Sequence, residues 1–73
     1  MLYMMWYDDD PKKGAADKIR EAVAAYTARF STTPSLVLVN EVDYASIAEV
    51  LVRSERTVQP HNFWVGYGAA VEQ

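Results

Sequence analysis

The chain has no cysteine and only one histidine, His61, among its 73 residues. A disulfide framework and a Cys/His zinc cluster are therefore both excluded. It has no long apolar stretch either. The run from Met1 to Tyr7 has no basic flank, is far too short for a signal or membrane-spanning segment, and leads straight into Asp8, Asp9 and Asp10. Cytoplasm is the address expected by default. Basic residues are scarce: seven Lys and Arg against ten Asp and Glu leave a formal charge of −3, so the domain as a whole repels phosphate backbones. Nucleic acid is a disfavoured partner, and single-stranded nucleic-acid binding ranks third among the readings. No repeat, linker or low-complexity tract occurs, and the length suits a single α/β domain over 1–73.

What the chain has in quantity is apolar and aromatic side chains. Half of the sequence is hydrophobic (51%), with two Trp, five Tyr and two Phe. Disorder is excluded on that composition. A chain this short buries only about 60% of its unfolded surface and usually needs a dense core or a partner subunit.

Leu2 to Tyr7 reads as a strand covered on both faces. Asp10-Pro11 is a helix-start pair, with Gly14 able to delay the regular helix by a turn. Ala16, Ile19, Val23, Tyr26 and Phe30 form one apolar stripe, and Lys18, Glu21, Thr27 and Arg29 largely occupy the other side. Ser31 to Ser35, with Pro34, ends that helix, and Leu36-Val37-Leu38-Val39 is a buried strand expected to run parallel to the first. Together these make a βαβ unit with the usual right-handed crossover.

Beyond Asn40 the pattern is mixed. Tyr44, Ile47, Ala48 and Leu51 fit a short helix capped by Asp43, whereas Val50 and Val52 alternate as in a strand; a helix over about Asp43 to Leu51 is expected. Val52 to Val58 is polar enough for an edge strand, Gln59 to Asn62 reads as a turn, and Phe63 to Tyr67 belongs nearer the sheet centre, hairpin-paired with the polar strand. Gly68 to Gln73 is expected to fray. The fold class that follows is a two-layer α/β sandwich of βαβαββ order, with a mixed sheet of about four strands and both helices on one face.

Two constellations stand out. In open α/β sheets, ligands bind beyond the carboxyl ends of the strands. Asp8 and Asp10 after the first strand, with Asn40 and Glu41 after the second, form a candidate oxygen set for Mg²⁺ or Mn²⁺. The competing and stronger reading is that these aspartates cap a helix and face solvent. A strand ending in Tyr7-Asp8 followed by a helix also resembles, over about the first 30 residues, the start of the small CRISPR-associated endoribonuclease domains. In that family an aspartate at this position goes with metal-dependent cleavage. The resemblance carries over to Asp8 alone, and the later strands do not match.

The second constellation is aromatic: Tyr3, Tyr7, Trp64 and Tyr67 lie on strands that can be neighbours. With both helices on one side, the opposite sheet face is left for a partner. The leading expectation is a non-enzymatic interaction domain that self-associates through this face, as a homodimer or on a larger protein. The alternative is a Mg²⁺- or Mn²⁺-dependent phosphoryl-transfer or phosphodiester-cleaving domain using Asp8 and Asp10. Lys12-Lys13-Gly14 is a weak phosphate-turn pattern, His61 has no nameable catalytic companion, and the serines and threonines lack a nucleophile-elbow context.

Overall fold

The computed structural model describes residues 3–67. Five strand residues, Tyr3–Tyr7 (β1), lead through a turn to one helix, Ala15–Phe30 (α1), and then to Leu36–Val39 (β2). A single 3₁₀ turn over Glu41–Asp43 and an irregular segment precede Leu51–Ser54 (β3) and Asn62–Gly66 (β4). The four strands form one mixed sheet in the order β1-β4-β2-β3. The expected strand position at Leu2 and the tail from 68 to 73 lie outside the described residues. Among the described residues no helix is long and apolar enough to cross a membrane.

The helix begins at Ala15, one turn beyond Asp10-Pro11, and Gly14 is its N-cap residue with no side-chain cap. Asp10 instead closes its own turn, accepting from the Lys12 N–H at 2.9 Å through Oδ1. At the other end Ser31 adopts the left-handed conformation (φ 56°) and donates its N–H to the Thr27 carbonyl. The buried stripe is Lys18, Ile19, Ala22 and Tyr26, with Ala16 and Val23 packed beside it. Two expectations are corrected here. Phe30 is 38% exposed, its ring meeting Tyr26 at 4.7 Å between centroids, and Lys18 is buried instead of facing solvent. A lysine can occupy such a place because its methylene stem packs against apolar neighbours.

There is one helix, not two. Asn40 caps the segment after β2, its Oδ1 accepting from the Val42 N–H, and the chain leaves the 3₁₀ turn at Tyr44 in an extended conformation (φ −74°, ψ 135°). Only eleven residues, 40–50, separate β2 from β3, and the two strands run parallel. The chain must therefore travel back along the whole strand within that length. A crossover of this kind normally takes a dozen residues or more when it carries a helix. The extended path spends fewer, and it buries Ile47 and Val50, leaving Tyr44 and Leu51 outside. The β-branched residues, not the helical stripe, decide this segment.

The sheet order also departs from the expected hairpin between the polar strand and the last one. β3 pairs only with β2, and β4 lies between β1 and β2, antiparallel to both. The polar strand is short because residues 55–58 turn: the Glu55 N–H bonds to the Val39 carbonyl and the Val58 N–H to the Glu55 carbonyl. Val58 is buried in this turn and its carbonyl accepts from Asn40 Nδ2 at 2.9 Å. The connection is thus anchored over the end of β2, which delivers β4 to the far side of that strand. β1 and β2 run parallel as expected, with β4 inserted between them, and β4 is central.

The core is built on the helix side of the sheet. Phe63, Val65, Val37, Val39 and Val52 point toward α1, where Ile19, Ala22 and Tyr26 meet them, and Ile47 and Val50 complete the cluster. Met4 and Trp6 extend it along β1.

Candidate functional site

Side chains alternate across a strand, and residues paired across two strands share a face. The register therefore fixes what lies on the side away from α1. One row across the sheet is Tyr3, Gly66, Leu36 and Leu51; the next is Met5, Trp64, Leu38 and Arg53; Tyr7 and Asn62 begin a third. Met5 and Tyr7 are each 61% exposed and Leu51 58%. Leu36 is enclosed although it stands apart from the helix-side cluster. The rings of Tyr3 and Trp64 lie 6.0 Å apart at 55°. A shallow depression of about 360 Å³ is lined by Met5, Trp64, Asn62, Thr57 and Gln59.

Three of the four aromatic residues expected to share a face, Tyr3, Tyr7 and Trp64, do so. Tyr67 follows the end of β4, out of phase with Trp64, and is exposed. The reading from aromatics alone missed Met5, Leu36, Leu38 and Leu51. Strict alternation of Tyr3, Met5 and Tyr7 against Met4 and Trp6 is the signal that separates the faces. On the helix side, the Trp6 indole N–H is enclosed without a hydrogen-bond partner.

The carboxyl ends of β1, β2 and β3 lie at one edge, and the oxygen-bearing candidates gather there in two pairs. Asp8 is bonded three ways: its N–H donates to the His61 carbonyl at 3.0 Å, its Oδ1 accepts from the Asp10 N–H, and its Oδ2 meets Lys13 Nζ at 3.2 Å. The Asp10 N–H, then Lys13 and the positive charge of Lys18, hold the Asp8 carboxyl below its ordinary value. Lys13 also bridges to Glu21 at 2.6 Å, and the Glu21 and Asp8 carboxylates push its ammonium pKa upward. Asp10 is occupied with Lys12 as described. The other pair, Asn40 and Glu41, lines an open groove of about 660 Å³ with Val42, Ser54, Glu55 and Arg56. β4 stands between the two pairs, so their parent strands are about 10 Å apart at normal strand spacing. Among the described residues no three His, Asp or Glu side chains are placed to hold a metal ion together.

Tyr7 joins the open face to this edge. Its hydroxyl donates to Asp9 Oδ2 at 3.4 Å, and the negative charge of Asp9 raises the phenol pKa. Its ring meets His61 edge-on at 6.3 Å. His61 itself matters here through its backbone. Its φ is 71°, its carbonyl receives Asp8, and its N–H donates to the buried carboxylate of Asp43 at 2.7 Å. Asp43 was expected to cap a helix; it ties the turn before β4 to the turn after β2. Nothing in local sequence marks that tie, because its partners are 18 residues apart. Compared with known family models, curated proteins and solved structures, the chain shows no match.

Proposed function

We propose that this chain is a small non-enzymatic association domain that binds further copies of itself through the open face of its sheet. The observation that carries the reading is the contiguous apolar surface of Tyr3, Met5, Tyr7, Trp64, Leu38 and Leu51, which no described element covers. Surfaces of this kind, with aromatic anchors at their centre, mark protein interfaces far more often than chance. At the acidic edge, the Asp8 carboxylate is held by Lys13 and the Asp10 N–H, and Asp10 Oδ1 and Asn40 Oδ1 accept from the backbone N–H groups of Lys12 and Val42.

Trp64 stands at the middle of the face on a central strand, and is the position to perturb. Sedimentation equilibrium of the wild-type chain and of Trp64→Glu is the test, with far-UV circular dichroism to follow the fold. The expected result is a wild-type assembly whose mass falls in the variant while the spectrum is retained. A wild-type monomer at several hundred micromolar, or an unchanged mass in a folded Trp64→Glu, would refute the proposal.

A further inference from the structure

The sheet has two edges, and they differ in character. β3 ends one side with Leu51-Val52-Arg53-Ser54, followed by Glu55 and Arg56. β1 ends the other with Tyr-Met-Met-Trp-Tyr, five residues without charge, proline or glycine. Natural edges are usually blunted by lysine, proline or a bulge, because unpaired backbone groups recruit another strand. β1 shows none of these devices.

The direction of its free backbone groups follows from the ladder. In an antiparallel pair both the N–H and C=O of one residue point to the same side, and successive residues alternate. The Asp8 N–H reaches β4, at the His61 carbonyl. Met4 and Trp6 therefore also face β4, whereas Tyr3, Met5 and Tyr7 direct their N–H and C=O groups outward. Among the described residues nothing lies beyond that edge.

We infer that the outer edge of β1 pairs antiparallel with β1 of a second copy, about a two-fold axis at Met5. This extends the self-association reading above and adds a contact distinct from the open face. The self-pairing closes on itself: Met5 meets Met5, Tyr3 meets Tyr7 and Tyr7 meets Tyr3, each pair presenting outward donors and acceptors. Rotation about that axis keeps both apolar faces on the same side of one eight-stranded sheet. Tyr3 and Tyr7 then form cross-strand aromatic pairs, a favourable combination in antiparallel sheets. No charge opposes its like within β1, since the nearest carboxylate on the ladder, Asp8, is already paired with Lys13. A different strand would find the same backbone groups but not the symmetric aromatic pairing, which favours a second copy as the occupant. Edge and face contacts together give a tetramer.

The two contacts separate by residue. Trp64 is on β4, a full strand inside the edge, so Trp64→Glu removes the face contact and spares the edge. Met5→Pro deletes one outward N–H without touching the β4 ladder, and proline is tolerated on edge strands where its missing N–H faces solvent. The experiment is native mass spectrometry with amide hydrogen exchange on Trp64→Glu. The expected result is a dimer in which the Tyr3 and Tyr7 amides exchange at least tenfold more slowly than in a Trp64→Glu/Met5→Pro double variant, itself a monomer. The Met4 and Trp6 amides, bonded within the sheet, stay protected in both and report that the fold persists. If Trp64→Glu is a folded monomer, or its Tyr7 and Met5 amides exchange like unprotected peptide, edge pairing is overturned while the face contact stands. If the assembly mass ignores Trp64→Glu but Met5 and Tyr7 are protected, the edge stands and the face reading fails.

Discussion

Asp43→Ala tests whether the tie across the sheet end holds the fold in the way the geometry implies. Asp43 is 6% exposed, and its Oδ2 accepts the His61 N–H at 2.7 Å. A hydrogen bond to a charged group contributes about 1.5–3 kcal/mol, and truncation also leaves the donor unpaired. Domains of this length have a total stability of about 4–11 kcal/mol, so a single side chain carries a large share. At roughly 4–8 °C per kcal/mol for domains of this size, the expected fall in Tm is about 6–24 °C. Asp43→Asn keeps an acceptor oxygen and loses less than half as much. Urea unfolding followed by the fluorescence of Trp6 and Trp64 measures both. Because His61 also receives the Asp8 N–H, the Asp8 amide exchanges faster in Asp43→Ala than in wild type. A cost within about 0.5 kcal/mol, the scale of an ordinary surface substitution, with no change at Asp8, would refute the argument.

Further outcomes follow from the helix end and from the charges around Asp8. Ser31→Gly removes a side chain from the left-handed helix terminus, where an L-residue costs about 1–2 kcal/mol and glycine is at ease. The expected gain is about 1 kcal/mol, seen as a Tm higher by roughly 4–8 °C; no gain in calorimetry would show that the cap is unstrained. Asp8 has its folded pKa depressed, chiefly by the Asp10 N–H and then by Lys13. Its contribution is therefore present above its ordinary value of 3.8 and is lost as pH falls through the lower folded value. Glu49, depressed by Arg20, acts in the same sense. Unfolding free energies across the acid range should consequently decline less steeply for Asp8→Asn than for wild type, and identical slopes would exclude Asp8 as a contributor.

Much of the fold was legible because it is written locally. The apolar runs at Tyr3–Tyr7 and Leu36–Val39 became strands, and the stripe of Ile19 and Tyr26 became the buried side of α1. What failed depended on distant residues. The segment from Asp43 to Leu51 holds both a helical and an alternating pattern, and the parallel pairing of Leu51–Ser54 with β2 selected the extended one. Strand order was not readable, since the contacts that steer β4 past β2, the burial of Val58 with its bond to Asn40 and the tie from His61 to Asp43, each join residues 18 apart. The open face was readable in part, through three of its aromatics, whereas Met5, Leu38 and Leu51 needed the register. The oxygen-bearing candidates lie at the expected sheet edge, but their division into two pairs depends on the inserted β4, which local sequence does not reveal.

The missing second helix bears directly on the association reading, because that reading was built on helices confined to one side. The sidedness persists without it. Ile47 and Val50, with Ala45 beside them, belong to the same cluster as Ile19, Ala22 and Val37. The irregular crossover from β2 to β3 therefore covers the same face as α1, and does a second helix's task with fewer residues. Both crossovers lie on one side, and among the described residues the short turns at the strand ends add no layer to the other. Among the described residues it is the route of the chain, not the number of its helices, that leaves Met5, Tyr7 and Leu51 exposed on the opposite face. The same route places β1 at an edge, with β4 as its one neighbour among the described strands. A strand with Tyr3, Met5 and Tyr7 on one side, Met4 and Trp6 on the other, and no charge along its rim has the residues of an interior strand. Under the proposed edge pairing, a second copy would give it the second neighbour that an interior strand has.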